Sequence, residues 1–392
     1  MKTALVLFTR DLRIHDNPAL LTACARAERV IPLFVLDPAI RASANRRRFL
    51  RDCLADLRES LRGLGGDLVI RSGDPVAETM RLAARYQAET VDLAADVSAF
   101  AARRLSRLTA EPIAVHTHPG VTVVPPGAVR PGSGDHYKVF TPYWRAWSAL
   151  PWRPVATTPR AVRLPAGIEP GELPELRPPA SPDLIAGGES EARRRLGAWD
   201  PTDYDEIHDD LAADRTSHLS PFLRFGCVSP LEVARTVGHE GFVRQLAWRD
   251  FHHQVTAAFP EIMRRDYRPR GTEWNEDPEA LAAWRDGRTG CLIVDAGMRQ
   301  LRQEGWMHNR ARMITASYLS KSLRIDWRHG LAHFGEWLAD ADVADNAGNW
   351  QWIAGTGNDT RPNRVLNPQR QADRFDRSGE YVRRYLPDRK QA

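Results

Sequence analysis

"TALVLFTRDLRIHD", residues 3–16, opens on an apolar run too short for a signal peptide or a membrane span and turns at once into charged residues. It reads as a buried strand followed by its loop. Four runs of the same kind follow: "RVIPLFVLD" (29–37), "GDLVIRSG" (66–73), "TVDLAAD" (90–96) and "PIAVHTH" (112–118). Between them lie amphipathic stretches such as "NRRRFLRDCLADLRESLRGLG" (45–65) and "PVAETMRLAARYQAE" (75–89). Short apolar runs alternating with helical patterns predict an α/β fold, a Rossmann-like parallel sheet with helices on both faces, over residues 1–130. No G-x-G-x-x-G follows the first strand, which disfavours a nicotinamide-dependent oxidoreductase.

Working outward, residues 155–190 are rich in Pro and Gly and lack periodicity, so 131–195 reads as an interdomain connector. From 196 to 392 the pattern is helical almost throughout, giving a second, all-α domain. "LSPFLRF" (219–225) and "VSPLEVA" (228–234) each put Ser before Pro, the N-cap and first-turn signature of a helix start. A chain of 392 residues has room for two such cores.

Composition narrows the function classes. The net charge is +5 and the pI about 9.2, and nearly all the positive charge is Arg, since Lys2, Lys138, Lys321 and Lys390 are the only lysines. Arginine forks suit bidentate phosphate contacts, so a phosphate-rich partner is compatible. The four cysteines lie far apart with no C-x-x-C pair, which points to no metal site, no disulfide framework and a reducing cytoplasmic setting. No stretch approaches the roughly 20 apolar residues of a membrane helix.

Twelve tryptophans are the sharper oddity, and nine of them lie from Trp199 onward. Gln245, Trp248, Arg249 and His252 fall at i, i+3, i+4, i+7 and share one helix face. Trp306, Asn309, Arg310 and Met313 repeat that spacing, and Asp342, Asn346 and Trp350 fall at i, i+4, i+8. A large aromatic beside hydrogen-bonding groups suits a flat ligand with polar edges, such as a nucleobase or a flavin. Thr216, Ser217 and Ser220, just ahead of a predicted helix N-terminus, read as a cradle for a pyrophosphate.

In this order, "TSHLS" (216–220), "LAWRDF" (246–251), "TGCLIVDAGMRQLRQEGWMHNRARM" (289–313), "DWRHG" (326–330) and "DADVADNAGNWQWIAGTGND" (340–359) carry a family resemblance. Together with "VLFTRDLRIHDNPAL" (6–20) and "GDHYKVFTPYWRAW" (134–147), they make the chain resemble the photolyase/cryptochrome family from residue 3 to about 386. The resemblance implies an α/β antenna domain joined to a helical FAD- and DNA-binding domain. It also implies a deoxyribodipyrimidine photo-lyase, a monomer that splits cyclobutane pyrimidine dimers in DNA by light-driven electron transfer from reduced FAD to a flipped-out dimer. Photolyases are a known example of base flipping.

Carried over position by position, the resemblance assigns FAD contacts to Tyr204, Thr216, Ser217, His218, Leu219, Ser220, Phe242 and Arg249. Asn309, Arg312, Asp340, Ala341, Asp342 and Asn346 complete that set, with Arg312 as partner of Asp340 and Asn346 beside flavin N5. Trp350, Trp327 and Trp274 match the family's electron-transfer chain. Lesion and DNA contacts fall to Gln245, Trp248, Arg249, His252, Asn309, Arg310, Met313, Trp352, Arg364 and Gln371. The first domain is expected to hold an antenna chromophore, 8-hydroxy-5-deazaflavin or methenyltetrahydrofolate, with "LDPAIRASANRRRF" (36–49) leaning toward the deazaflavin.

Two relatives within the family offer alternatives: a cryptochrome-type blue-light photoreceptor and a (6-4) photoproduct photolyase. Gln245 stands where dimer photolyases usually carry Glu, and Gln there also occurs in (6-4) enzymes. Those enzymes, however, place His where this chain has Asn309 and Met313, which favours the cyclobutane dimer.

Overall fold

A computed structural model describes residues 2–387. Five strands, β1 (Thr3–Leu7), β2 (Arg29–Leu36), β3 (Val69–Ser72), β4 (Ala88–Ala94) and β5 (Ala114–His118), form one parallel sheet in the order β3-β2-β1-β4-β5. Each lies within two residues of the predicted run except β3, which starts three residues late at Val69. Helices α1 (Pro18–Arg26), α2 (Ala44–Gly63), α3 (Pro75–Tyr86) and α4 (Ala99–Thr109) connect the strands.

Side chains alternate across a strand, so β1 feeds two cores. Ala4, Val6 and Phe8 join one apolar cluster, and Leu5 and Leu7 the other. Burial on both faces is why its sequence reads as an unbroken apolar run.

The stretch 131–195 contains more than linker. Helix α5 (Phe140–Ala149) buries Phe140, Tyr143 and Trp147, a 3-4 spacing that forms an apolar stripe. Next come α6 (Glu189–Ala198), α7 (Tyr204–Ile207), α8 (Ser220–Phe225), α9 (Pro230–Val237), α10 (Glu240–Ala258), α11 (Pro278–Arg285) and α12 (Leu292–Glu304). Helices α13 (Asn309–Ser317), α14 (Trp327–Trp337), α15 (Val343–Ala354), α16 (Pro368–Phe375) and α17 (Glu380–Tyr385) complete the described chain. The stripe of α5 packs on α10, where Trp147 Nε1 donates to Asp250 at 2.9 Å and Phe140 stacks on Trp248.

The two predicted helix starts differ in outcome. Ser229 caps α9, its side chain accepting from the Glu232 N–H at 3.3 Å. At α8 the cap is Leu219 and makes no side-chain bond, while Ser220 is the first helical residue. The Ser220 hydroxyl is drawn instead to a charged acceptor, donating to Asp340 at 2.5 Å and accepting from Trp306 Nε1 at 3.1 Å.

Candidate flavin and DNA site

The predicted faces of α10 and α15 converge on one cavity of about 450 Å³. Phe242, Gln245, Trp248, Arg249 and His252 line it from α10. Opposite them stand Asn346, Trp350 and Trp352 of α15, with Asp340, Ala341 and Asp342 on the approach to that helix. Asp342 is the N-cap of α15, its carboxylate accepting from the Ala344 and Asp345 N–H groups, as a helix start favours. Asn309, Arg312 and Met313 of α13 close the third side, and Ser217, Leu219 and Ser220 the fourth.

Burial divides the cavity. Asp340, Asp342 and Trp350 are buried, Trp248, Met313 and Trp352 are half-buried, and Gln245 and Asn309 are exposed. The inner end is thus ringed by charged groups and an indole, and the mouth by aromatics and two amides.

Inner electrostatics are held by arginines. Arg312 forks onto Asp340 with both terminal nitrogens, at 3.0 and 2.7 Å. Burial alone would push the Asp342 carboxyl up, but the charges of Arg10, His253, Arg249 and Arg224 outweigh it and hold the group well below the usual carboxylate range. Arg10 pairs directly with Asp342 across the two domains. His253, Asp342 and Asp345 lie close enough to share an ion, yet Arg10 already serves Asp342 and Arg249 Nε lies 3.7 Å from Asp345. Arg10, Arg224 and His253 carried no signal in the sequence, because their partners are distant along the chain.

Other predicted residues stand outside the cavity wall. Trp306 precedes α13, which begins only at Asn309, so the predicted four-residue face is not one helix face. It stacks on His218 with ring centres 4.0 Å apart and supports Ser220 from behind. Arg310 turns away to Asp209 and lies over Phe375. Tyr204 packs behind Phe242, 5.5 Å between ring centres. Arg364 lies over Trp352, 5.3 Å from its ring centre, and Gln371 is on α16. Trp327 is fully buried and Trp274 half-buried, both away from the cavity lining.

These residues fit an FAD. The buried Thr216 hydroxyl has no hydrogen-bond partner among the described residues, and the Ser217 and Ser220 side chains face the cavity beside it. An orphaned buried hydroxyl is costly unless a ligand satisfies it. Acidic, amide and guanidinium groups edge an otherwise aromatic and aliphatic space, the pattern a flat heterocycle requires.

A second cavity, about 990 Å³, opens beyond the carboxyl ends of β1 and β2, where open α/β sheets bind ligands. Phe34, Asp37, Arg41, Arg46, Phe100 and Arg104 are among its walls, and Arg224 and Asp342 line both cavities. No helix among the described residues is long and apolar enough to cross a membrane.

Comparison with known proteins identifies the family. Residues 4–161 match the DNA photolyase family, and residues 242–392 match the FAD binding domain of DNA photolyase. A deoxyribodipyrimidine photo-lyase of Streptomyces griseus is 49% identical over 99% of this chain and 90% of its own length. A cryptochrome DASH of Natronomonas pharaonis is 35% identical over 99% of this chain and 90% of its own. Among solved structures, a bacterial class III photolyase from Agrobacterium tumefaciens superposes with a TM-score of 0.93 at 33% identity, covering 99% of this chain and 87% of that one. An archaeal photolyase from Sulfolobus tokodaii with two FAD molecules gives 0.89 at 30% identity, covering 98% and 90%. A parallel-sheet domain, a helical FAD-binding domain and full-length identity of this order make the chain a member of the DNA photolyase and cryptochrome family.

Proposed function

We propose that this chain is a light-driven photolyase acting on cyclobutane pyrimidine dimers in DNA. One observation carries the reading: a single cavity joins a buried inner end, with Asp340, Asp342 and Trp350, past the half-buried Asn346 to an open mouth with Gln245, Trp248, Asn309 and Trp352. A cofactor and a flipped lesion can therefore share one space.

Along one side, Ser217, Ser220 and the orphaned Thr216 hydroxyl hold the FAD phosphates, and in the inner end Asp340, Asp342 and Arg312 hold its polar edges. Asn346 presents an amide to the flavin ring. Bound and reduced, FAD supplies under blue light the single electron that opens the dimer and is then returned, so the reaction is a lyase reaction.

At the mouth, Trp248 and Trp352 are flat walls for the dimer. Phe140 backs the Trp248 indole in a stack of 3.7 Å and 7°, which fixes its plane before any DNA arrives. Gln245 and Asn309 offer amides that donate to pyrimidine carbonyls and accept from their N–H groups. Met313 fills the apolar remainder. Arg364, above the Trp352 ring, and Gln371 grip the DNA strand near the opening. Phosphate contacts of this kind make binding weaken as salt rises.

Trp350, Trp327 and Trp274 form the relay that supplies electrons when the cofactor is oxidised. Trp350 packs on α14 at Gly330, one turn from Trp327. The second cavity holds the antenna chromophore, and six of its lining residues, Asp37, Ala39, Ile40, Arg41, Ala42 and Arg46, come from the stretch 36–49. The absorption spectrum of the purified protein separates a deazaflavin from a folate there.

The deciding experiment irradiates an oligonucleotide bearing a thymine dimer with the FAD-loaded, reduced protein and keeps a dark control. Restored thymines in the light alone support the reading, and dimers that persist in the light overturn it.

A further inference from the structure

Two tryptophans, one in contact with Trp350 and one on the helix that packs against it, differ in their prospects for a positive hole. Trp284 touches it directly, with ring centres 6.1 Å apart, and is fully buried. Its indole N–H donates to the Thr315 carbonyl at 3.0 Å, an acceptor that takes no proton. Trp327 sits on α14, the helix that meets the Trp350 ring at Gly330. The Trp327 indole N–H donates to Asp266 Oδ1 at 3.0 Å, and that carboxylate is 19% exposed.

The surroundings of Trp327 penalise a lasting positive charge on its ring. The Arg328 guanidinium lies over the ring, 4.7 Å from its centre, and is anchored there by Asp266 at 2.7 Å and Asp326 at 3.0 Å. A cation over the face opposes a second positive charge in the ring beneath it. A carboxylate on the N–H favours loss of that proton. The guanidinium also donates to the same Asp266 Oδ1 and so lowers that oxygen's proton affinity, but its repulsion of a positive ring and the carboxylate on the N–H both favour a neutral radical.

We propose that Asp266 is the proton acceptor that traps the hole at Trp327, an inference that rests on the electron-relay reading above. A photoexcited, oxidised flavin is the electron acceptor, and Trp350 is its first donor. Trp327 then gives one electron to refill Trp350. Its Nε1–H bond breaks, the proton forms an O–H bond at Asp266 Oδ1, and Trp327 is left as a neutral radical. With the positive charge gone from the ring, return of the electron is no longer favoured, and the trapped state outlives the flash. The half-buried Trp274 later returns the electron, itself refilled by a thiolate in solution, and Asp266 returns the proton. Trp284, with only a carbonyl on its N–H, has no such exit.

Asp266→Asn tests this directly, because the amide oxygen still accepts the indole hydrogen bond but is far too weak a base to take the proton. FAD-loaded, oxidised protein carrying Trp274→Phe, which ends the relay at Trp327, is followed by transient absorption after a blue flash, in H2O and in D2O. The expected result is a neutral indole radical, formed more slowly in D2O. Adding Asp266→Asn leaves only the radical cation and shortens the light-induced state by about 100-fold, the scale of proton transfer to a positioned side chain. In the flavin-free protein, indole N–H Raman bands that are unchanged by Asp266→Asn but shifted by Asp266→Ala confirm that the hydrogen bond survives in the test variant. A neutral radical of unchanged yield and lifetime in Asp266→Asn overturns the assignment while leaving the relay intact. Radicals unaffected by Trp350→Phe overturn the relay itself, and the role of Asp266 with it.

Discussion

Arg10 and Asp342 pair across the domain boundary, 332 positions apart in the chain, and the carboxylate they hold charged is the N-cap of the helix that carries Asn346 and Trp350. Both partners are largely buried, at 14% and 4% side-chain exposure. Removing one member of such a pair leaves an uncompensated charge, which costs about 3–5 kcal/mol. Arg10→Gln is therefore expected to lower unfolding stability by an amount of that order. It should also weaken FAD retention, since Asp342 lines both cavities. Denaturant unfolding and the flavin-to-protein absorbance ratio measure the two effects separately.

Gly330 bears the Trp350 ring so closely that a Cβ there would stand 2.1 Å from its Cη2 atom and 2.7 Å from Leu319. Gly330→Ala overpacks this contact and should cost about 1–3 kcal/mol. Gly335, on the same helix, has nothing within 4 Å of its would-be Cβ. Gly335→Ala should accordingly be neutral or stabilise by about 0.5–1 kcal/mol through helix propensity. Urea midpoints of the two variants moving in opposite directions are the expected outcome.

What was legible in the sequence is what nearest neighbours decide. Strands β1, β2 and β4 announced themselves as apolar runs because the sheet interior covers both their faces, whereas β5, an edge strand with no buried residue, was read from its alternation with the helical stretches. The spacing of Asp342, Asn346 and Trp350 disclosed one wall because α15 begins at Val343, immediately after its cap. The same periodic argument failed at Trp306 and Arg310, since α13 starts at Asn309 and a face read through a loop is no face. Phe140 and Arg10 were out of reach for another reason. Their partners, Trp248 and Asp342, belong to other domains of the sequence, and nothing in the local pattern names a contact made only on folding.

Trp248→Ala and Asn309→Ala should each abolish light-dependent repair while leaving FAD bound. Trp248 and Asn309 lie at the half-buried to exposed mouth, whereas the carboxylates of Asp340 and Asp342 lie at the buried inner end. Phe140→Leu is expected to fall between these and the native chain. It removes the stacked support of Trp248 without removing the indole, and aromatic pairs contribute about 0.5–1.5 kcal/mol beyond burial. Its predicted signature is a raised dimer KM with flavin content unchanged. Loss of FAD in any of the three would contradict the division of the cavity.

His308 sets an acid limit on stability. It caps α13, its Nδ1 accepting from the Arg310 N–H at 3.1 Å, while its buried Nε2 has no partner among the described residues. Burial drives its imidazole down to about 4, against an ordinary value of 6.5, despite the opposing pull of Asp214 and Asp209. The unfolded chain binds the proton first, so His308 stabilises the fold above about pH 6.5 and loses that contribution as the pH falls toward 4. At about 1.4 kcal/mol per pH unit the gap corresponds to about 3 kcal/mol. Asp250, raised to about 7 chiefly by burial, acts in the opposite sense between pH 4 and 7, so total stability does not isolate the effect. The difference between the native chain and His308→Asn does, because Asn keeps a capping oxygen and does not titrate. Thermal unfolding from pH 8 to 4.5 should show the native chain losing stability relative to His308→Asn, with the divergence starting near pH 6.5. Parallel curves would mean that His308 is protonated in the folded protein as readily as in the unfolded one.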